Sequence, residues 1–143
     1  MSEYVNGKVY PFCAQIGPPI GRAVPYAYVE MASLTSMVFR PVLGKMDTGT
    51  TRTALDFSTA YALGITNPTL GYLTIETVKT ATNQEIDCYV HQVLARVRTA
   101  GGSERTLQLY PGFAREIRRN LFGMDWAVVF CIAVDSRKVC LLE

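Results

Sequence analysis

The stretch VLGKMDTGTTRTALDFSTAYALGI, Val42 to Ile65, decides how this chain is read. An apolar approach, Val42 to Met46, runs into Asp47, Thr48 and Gly49, and a short amphipathic segment follows and ends at Leu63 and Gly64. The pattern is that of a strand presenting one carboxylate on a tight loop. Asp47 is the candidate acid and base, because a carboxylate can take a proton from water and return it to a leaving group when its neighbours tune it. Thr48 carries a hydroxyl that both donates and accepts, which suits a network tying the loop to a second copy of itself. Gly49 has no side chain, so backbone can approach a substrate or an opposing loop closely. The tripeptide alone also fits an ordinary turn, since Asp and Gly dominate turns for reasons unconnected with catalysis.

Just downstream, Asp56 is placed to cap a helix, with Phe57, Ala60 and Tyr61 on one face and Gly64 to end it. Upstream, Val9 to Ile16 and Tyr26 to Leu34 read as strands, separated by Gly17-Pro18-Pro19-Ile20-Gly21 and followed by a loop to Arg40 and Pro41. Further on, Leu73 to Val78 and Ile86 to Val97 are rich in β-branched and aromatic residues and predict one long hairpin from Tyr72 to Val97, with the polar segment Thr80 to Glu85 as its tip. Within that tip Asn83 suits a left-handed conformation. Ala100-Gly101-Gly102-Ser103 marks another turn, and Cys131 to Val134 and Val139 to Leu142 read as two strands around Asp135 to Lys138.

With 143 residues the chain has the length of one domain, which sets residues 1–143 as a single unit able to bury roughly 70% of its unfolded surface. Apolar residues make up 49% and charged residues 18%, a globular balance, and a net charge of +2 names no partner. No basic and apolar leader opens the sequence, and the longest apolar run, Trp126 to Val134, is far short of the roughly 20 residues that cross a bilayer. The expectation is a cytoplasmic protein with no membrane partner. Cys13, Cys88, Cys131 and Cys140 lack the close paired spacing of a zinc or redox site, so they read as buried thiols and no metal or cofactor is expected. His91 is the sole histidine and lies in a strand-like run, where a structural role is favoured over a Ser or Cys nucleophile's partner. Arg96, Arg98, Arg105, Arg115, Arg118 and Arg119 form a basic stretch without interleaved aromatics, which reads as a solvated face rather than a nucleic-acid surface.

The apolar strand, Asp47-Thr48-Gly49, then Thr53, Leu55, Ala60 and Leu63-Gly64-Ile65, resembles the retropepsin-like aspartic protease family around its catalytic aspartate. A second signature of that family is matched at Leu121-Phe122-Gly123-Met124-Asp125-Trp126, where two apolar residues, a Gly and often an Asp precede a short helix. The resemblance follows the order of elements well from about Pro41 to Glu143 and only loosely before that. It implies a mainly β, half-barrel acid-protease fold with one or two short helices, built as an obligate two-fold dimer. It also implies a polypeptide substrate, with Asp47 catalytic, Thr48 and Gly49 supporting the loop, and Leu121, Phe122, Gly123 and Asp125 as the structural signature. Gly49, Thr50 and Thr51 are the implied substrate contacts on the floor, and Thr80, Ala81, Thr82, Asn83 and Gln84 those of a closing flap.

Such chemistry needs two facing carboxylates around one water, because a close pair shares a proton and so holds one base and one acid. The chain has one Asp-Thr-Gly, so the expected enzyme is a homodimer with Asp47 from each subunit on the two-fold axis. Two departures stand out. The retroviral pattern has a small residue after Asp-Thr-Gly and then an Asp that pairs with an Arg of the second signature; here the positions hold Thr50, Thr51 and Met124. Both halves of that ion pair are missing together, which leaves no orphan charge. The competing reading is a dimerisation or peptide-binding module that kept the fold without the activity.

Overall fold

The computed structural model describes residues 9–17, 24–47, 49–80, 82–98, 104–126, 131–134 and 138–142. The strands are β1 (Val9–Gly17), β2 (Val24–Ser33), β3 (Arg40–Met46), β4 (Ala54–Asp56), β5 (Thr74–Lys79), β6 (Glu85–Val90), β7 (Val93–Arg98), β8 (Glu104–Leu109), β9 (Gly112–Ala114), β10 (Leu121–Phe122), β11 (Cys131–Val134) and β12 (Lys138–Leu142). One α-helix, α1 (Phe57–Ala62), and a single 3₁₀ turn over Met124–Trp126 complete the described elements. The mainly β expectation holds; the 3₁₀ turn falls within the second signature, and residues 127–130 beyond it lie outside the described residues.

The sheet runs β11-β12-β1-β2-β3-β10-β4-β9-β6-β5, with β7 branching from β2 and β8 beside β7. Most neighbours are antiparallel; β3 with β10 and β4 with β9 are parallel. The consequence for function lies in the centre. β3 and β4 follow each other in the chain, yet β10 inserts between them, parallel to β3 through Phe122 opposite Met46 and antiparallel to β4 through Leu121 opposite Ala54. Residues 47–53 therefore leave β3, cross the end of β10 and enter β4 on its far side.

Alternation sets the faces. Along β3, Val42, Gly44 and Met46 turn inward while Pro41 and Leu43 turn outward, as a period of two requires. Phe122, Phe113, Leu55, Met31 and Val29 are almost wholly buried in the main core, each worth about 1.5–3 kcal/mol of apolar transfer. Gly44 is required here: a Cβ on it would meet the Phe122 ring at 2.9 Å.

The helix forms as its sequence predicts. Asp56 is extended (φ −77°, ψ 165°) and its Oδ1 accepts the Thr59 amide at 2.7 Å, satisfying one of the unpaired first-turn N–H groups. At the other end Gly64 takes φ +89°, its N–H reaches the Tyr61 carbonyl (3.0 Å), and the Ile65 N–H reaches the Ala60 carbonyl (2.9 Å), a Schellman closure. Phe57 and Ala60 are buried; Tyr61 meets the Phe57 ring edge-on at 6.3 Å but stays half exposed at the border of that face.

The long hairpin needs correction. Ile86 to Val97 is two strands, not one: β6 pairs with β5 and β9, whereas β7 pairs with β2 and β8. The chain changes partners at His91-Gln92. There the His91 amide bonds the Pro111 carbonyl (3.1 Å), its buried Nε2 bonds the Pro68 carbonyl (2.7 Å), and the ring meets Phe113 edge-on. A carbonyl can only accept, so Nε2 carries the proton, and the histidine is a structural bracket, placed between two strands rather than within the one its sequence suggested. Strand propensity continues through the break; the switch is set by tertiary partners, which propensity does not register. At the chain's end β11 and β12 pair as the expected two strands; the turn residues 135–137 between them lie outside the described residues, as do 18–21 and 100–103. No helix among the described residues is long and apolar enough to cross a membrane.

Candidate active site

Asp47 stands where β3 ends over β10. Its amide donates to the Phe122 carbonyl at 2.9 Å, just as Lys45 donates to Asn120 at 2.8 Å, so the parallel pairing of β3 with β10 delivers the aspartate to the sheet's edge. Asp47 is partly buried, and Oδ1 accepts the Gly49 amide at 2.9 Å while the Asp47 carbonyl takes a longer bond from Thr50 (3.3 Å). The loop thus orients the carboxylate with its own backbone. Thr48 lies outside the described residues.

The rest of the loop is held from below by the second signature. Thr53 is fully buried; its amide donates to Asp125 Oδ2 (3.0 Å), its hydroxyl donates to Asp125 Oδ1 (2.8 Å), and the Gly123 amide reaches the same hydroxyl (3.3 Å). The Met124 amide donates to the Thr50 carbonyl at 2.7 Å. Where the ion pair is missing at Thr51 and Met124, the two signatures are therefore joined by these bonds between Thr50, Thr53, Gly123, Met124 and Asp125. Gly123 is obligatory for the approach, since a Cβ there would lie 2.6 Å from the Thr50 carbonyl oxygen. Asn120 adds another tie, accepting the Asp56 amide (2.9 Å) and donating to the Leu43 carbonyl (2.9 Å), which locks β3 to the start of α1.

A cleft of about 680 Å³ opens above the loop. Asp47, Gly49, Thr50 and Thr51 line its floor, Val78, Lys79 and Thr80 come from the hairpin β5–β6, and Ile86, Cys88, Ile117 and Leu121 form an apolar wall. The structure thus gathers six of the expected site residues around the cleft: Asp47, Gly49, Thr50, Thr51, Thr80 and, from the second signature, Leu121. Thr82, Asn83 and Gln84 are exposed at the hairpin tip and do not line the cleft; Ala81 lies outside the described residues. The tip is closed by Thr80 N–H to Gln84 (2.8 Å) and Asn83 N–H to Thr80 (3.0 Å), with Asn83 at φ +62°, the left-handed conformation its sequence position suggested.

Arg52, Glu76 and Asn120 carry weight in this site that their sequence positions do not announce, whereas Thr53 belongs to the first signature and Cys88 reads as a buried thiol. Arg52 Nε donates to Glu76 Oε2 at 2.9 Å and its Nη1 donates to the Tyr110 carbonyl at 2.7 Å. Cys88 is buried against Gly112, and burial, reinforced by the negative charges of Glu76, Glu116 and Asp87, pushes its thiol from 9.0 up to about 11. The side chains of the other three cysteines lie outside the described residues. Of the basic stretch, Arg96 pairs with Glu30 (2.6 Å) and stacks on Phe39, and Arg115 stacks on Phe57, so both contribute to the packing of the chain. Among the described residues no three His, Cys, Asp or Glu side chains gather as metal ligands would.

The fold matches that of a retropepsin-like aspartic protease from Rickettsia conorii with a TM-score of 0.56 and 20% identity, over 81% of this chain and 89% of that one. The EIAV protease, in complex with an inhibitor, is also similar, with a TM-score of 0.45 and 12% identity over 76% of this chain and 89% of that one. No family model and no curated protein matches the sequence. The chain has a retropepsin-like fold, the fold its two sequence signatures pointed to.

Proposed function

We propose that residues 1–143 form one aspartic endopeptidase domain that works in the cytoplasm as a homodimer, with Asp47 of each subunit meeting its copy on the two-fold axis. The observation that carries this reading is Asp47 itself: a partly buried carboxylate, oriented by the Gly49 amide, on a loop braced by five hydrogen bonds to the second signature, beneath an open cleft. A module that only bound peptides has no use for two like charges at its dimer axis.

In the proposed reaction one Asp47 is ionised and its partner copy protonated. The ionised carboxylate takes a proton from the shared water, which attacks the scissile carbonyl; the protonated one donates a hydrogen bond to that carbonyl oxygen, and a proton passes to the departing nitrogen. No covalent intermediate forms. Thr48 of both subunits ties the two loops together beneath the dyad, Gly49 contacts the substrate backbone, and the Thr80 to Glu85 tips close over a substrate bound as an added strand, excluding water. The test is cleavage of a diverse peptide mixture from acidic to neutral pH by the wild-type chain and by Asp47→Asn. Activity that rises faster than linearly with protein concentration and falls at least ~10²-fold in Asp47→Asn is expected. A folded dimer that cleaves nothing at any pH returns the chain to the binding-module reading.

A further inference from the structure

Arg52 is an unusual residue for a cleft floor: its side chain is 35% exposed, yet two of its nitrogens are committed, one to Glu76 on β5 and one to the Tyr110 carbonyl. The ion pair stands as a partition. Arg52 and Glu76 both line the large cleft beside Val78, Ile86, Ile117 and Leu121, and both line a second, outer hollow of about 310 Å³ with Thr51, Met124 and Asp125. An extended chain advances about 3.3 Å per residue and returns a side chain to the same face every second residue. A substrate whose side chain fills the apolar part of the inner cleft therefore brings the side chain two residues further out against the pair.

Resting on the protease reading of this cleft, we propose that Arg52 and Glu76 together are the specificity-determining element of the outer subsite, and that they select an uncharged amide side chain, Gln or Asn. Arg52 keeps Nη2, a donor, and Glu76 keeps Oε1, an acceptor, after their mutual bond is made. An amide carries one acceptor and one donor on a planar group and satisfies both. A carboxylate would engage Arg52 but face the like charge of Glu76; an ammonium would engage Glu76 but face Arg52. Asp125 lines the far side, where its two oxygens already accept from the Thr53 amide and hydroxyl. The pair thus disfavours either sign of charge, which is specificity obtained as much by rejection as by attraction.

The experiment measures binding, not turnover, with reduced-amide peptides that cannot be cleaved. Peptides carrying Gln, Glu, Lys or Leu at each position flanking the reduced bond are titrated by fluorescence anisotropy against the wild-type protein, Glu76→Gln and Arg52→Gln. At one position the wild type is expected to prefer Gln over Glu and Lys by about three- to tenfold. Glu76→Gln, which keeps the Arg52 to Tyr110 bond, should move the preference at that position to Glu, and Arg52→Gln should move it to Lys. Rankings that do not change in Glu76→Gln, or a panel in which no peptide binds, overturn the proposal. Because no step is catalytic, a protein that binds with these preferences but cleaves nothing refutes the protease reading and leaves the role of the pair standing.

Discussion

Substituting Gly123 by Ala tests whether the two signatures truly brace one another. The added Cβ would stand 2.6 Å from the Thr50 carbonyl oxygen and 2.8 and 2.9 Å from the carbonyl carbon and oxygen of Arg52. Ordinary van der Waals contact begins near 3.4 Å, so the loop would have to retreat by about 0.5–0.8 Å. Every atom in the way is backbone, and no change of rotamer relieves the clash. The Thr50 carbonyl is also the acceptor of the Met124 amide at 2.7 Å, so the retreat breaks that bond. Overpacking of this kind costs about 1–3 kcal/mol and the lost bond about 1 kcal/mol, or about 3 kcal/mol together. With a urea dependence of roughly 2 kcal/mol per molar, the unfolding midpoint should fall by about 1.5 M, read by circular dichroism at matched protomer concentration. Gly71→Ala is the control: Gly71 sits at φ +65° with nothing within 4 Å of an added Cβ, so it bears only the left-handed strain of about 1 kcal/mol. If Gly123→Ala unfolds at the same urea concentration as Gly71→Ala, the bracing argument is wrong. Peptidase activity, in the protease reading, should drop by up to ~10²-fold because Asp47 shares the displaced loop.

Thr53→Val keeps the shape of a fully buried side chain and removes the hydroxyl that links Asp125 to Gly123, so a loss of about 2–4 kcal/mol is expected in the same urea assay, against under 0.5 kcal/mol for Thr82→Val at the exposed tip. Cys88, raised to about 11 in the fold from an ordinary 9.0, contributes stability that is complete below pH 9 and is lost as the pH climbs through 11. Thermal melts should therefore decline across that window, and Cys88→Ala, though less stable overall, should show a flatter decline; equal slopes would contradict the assignment. Asn83→Gly should leave the hairpin within about 0.5 kcal/mol or improve it, whereas Asn83→Val, β-branched at φ +62°, should cost about 1–2 kcal/mol, with hydrogen exchange of the Thr80 and Gln84 amides as the local readout.

Much of this molecule is legible from local chemistry. The helix from Phe57 to Ala62 follows from an Asp that can cap and a Gly that can turn left-handed, both interactions spanning only a few residues. The left-handed Asn83 is of the same kind. Asp47-Thr48-Gly49 and Leu121-Phe122-Gly123 mark the two segments that meet, since a loop that presents a carboxylate and a strand that must pass beneath it each need a particular residue type at a particular place.

What the sequence by itself determined, then, is several of the longer strands, the helix and the candidate catalytic aspartate, all properties of short windows. Only the tertiary structure decided that β10 slides between β3 and β4, that β6 and β7 part at His91, and that Arg52 reaches Glu76 and Tyr110 across separations of 24 and 58 residues. Those contacts depend on which strand pairs with which, and pairing is settled by the burial of one shared core rather than by any residue's own preference. A charged residue at position 52 carries no mark in the sequence that its partner lies on β5. The charge pattern of the cleft is consequently a product of topology, while the aspartate it surrounds is marked in the sequence by the tripeptide, its flanking residues and the second signature together.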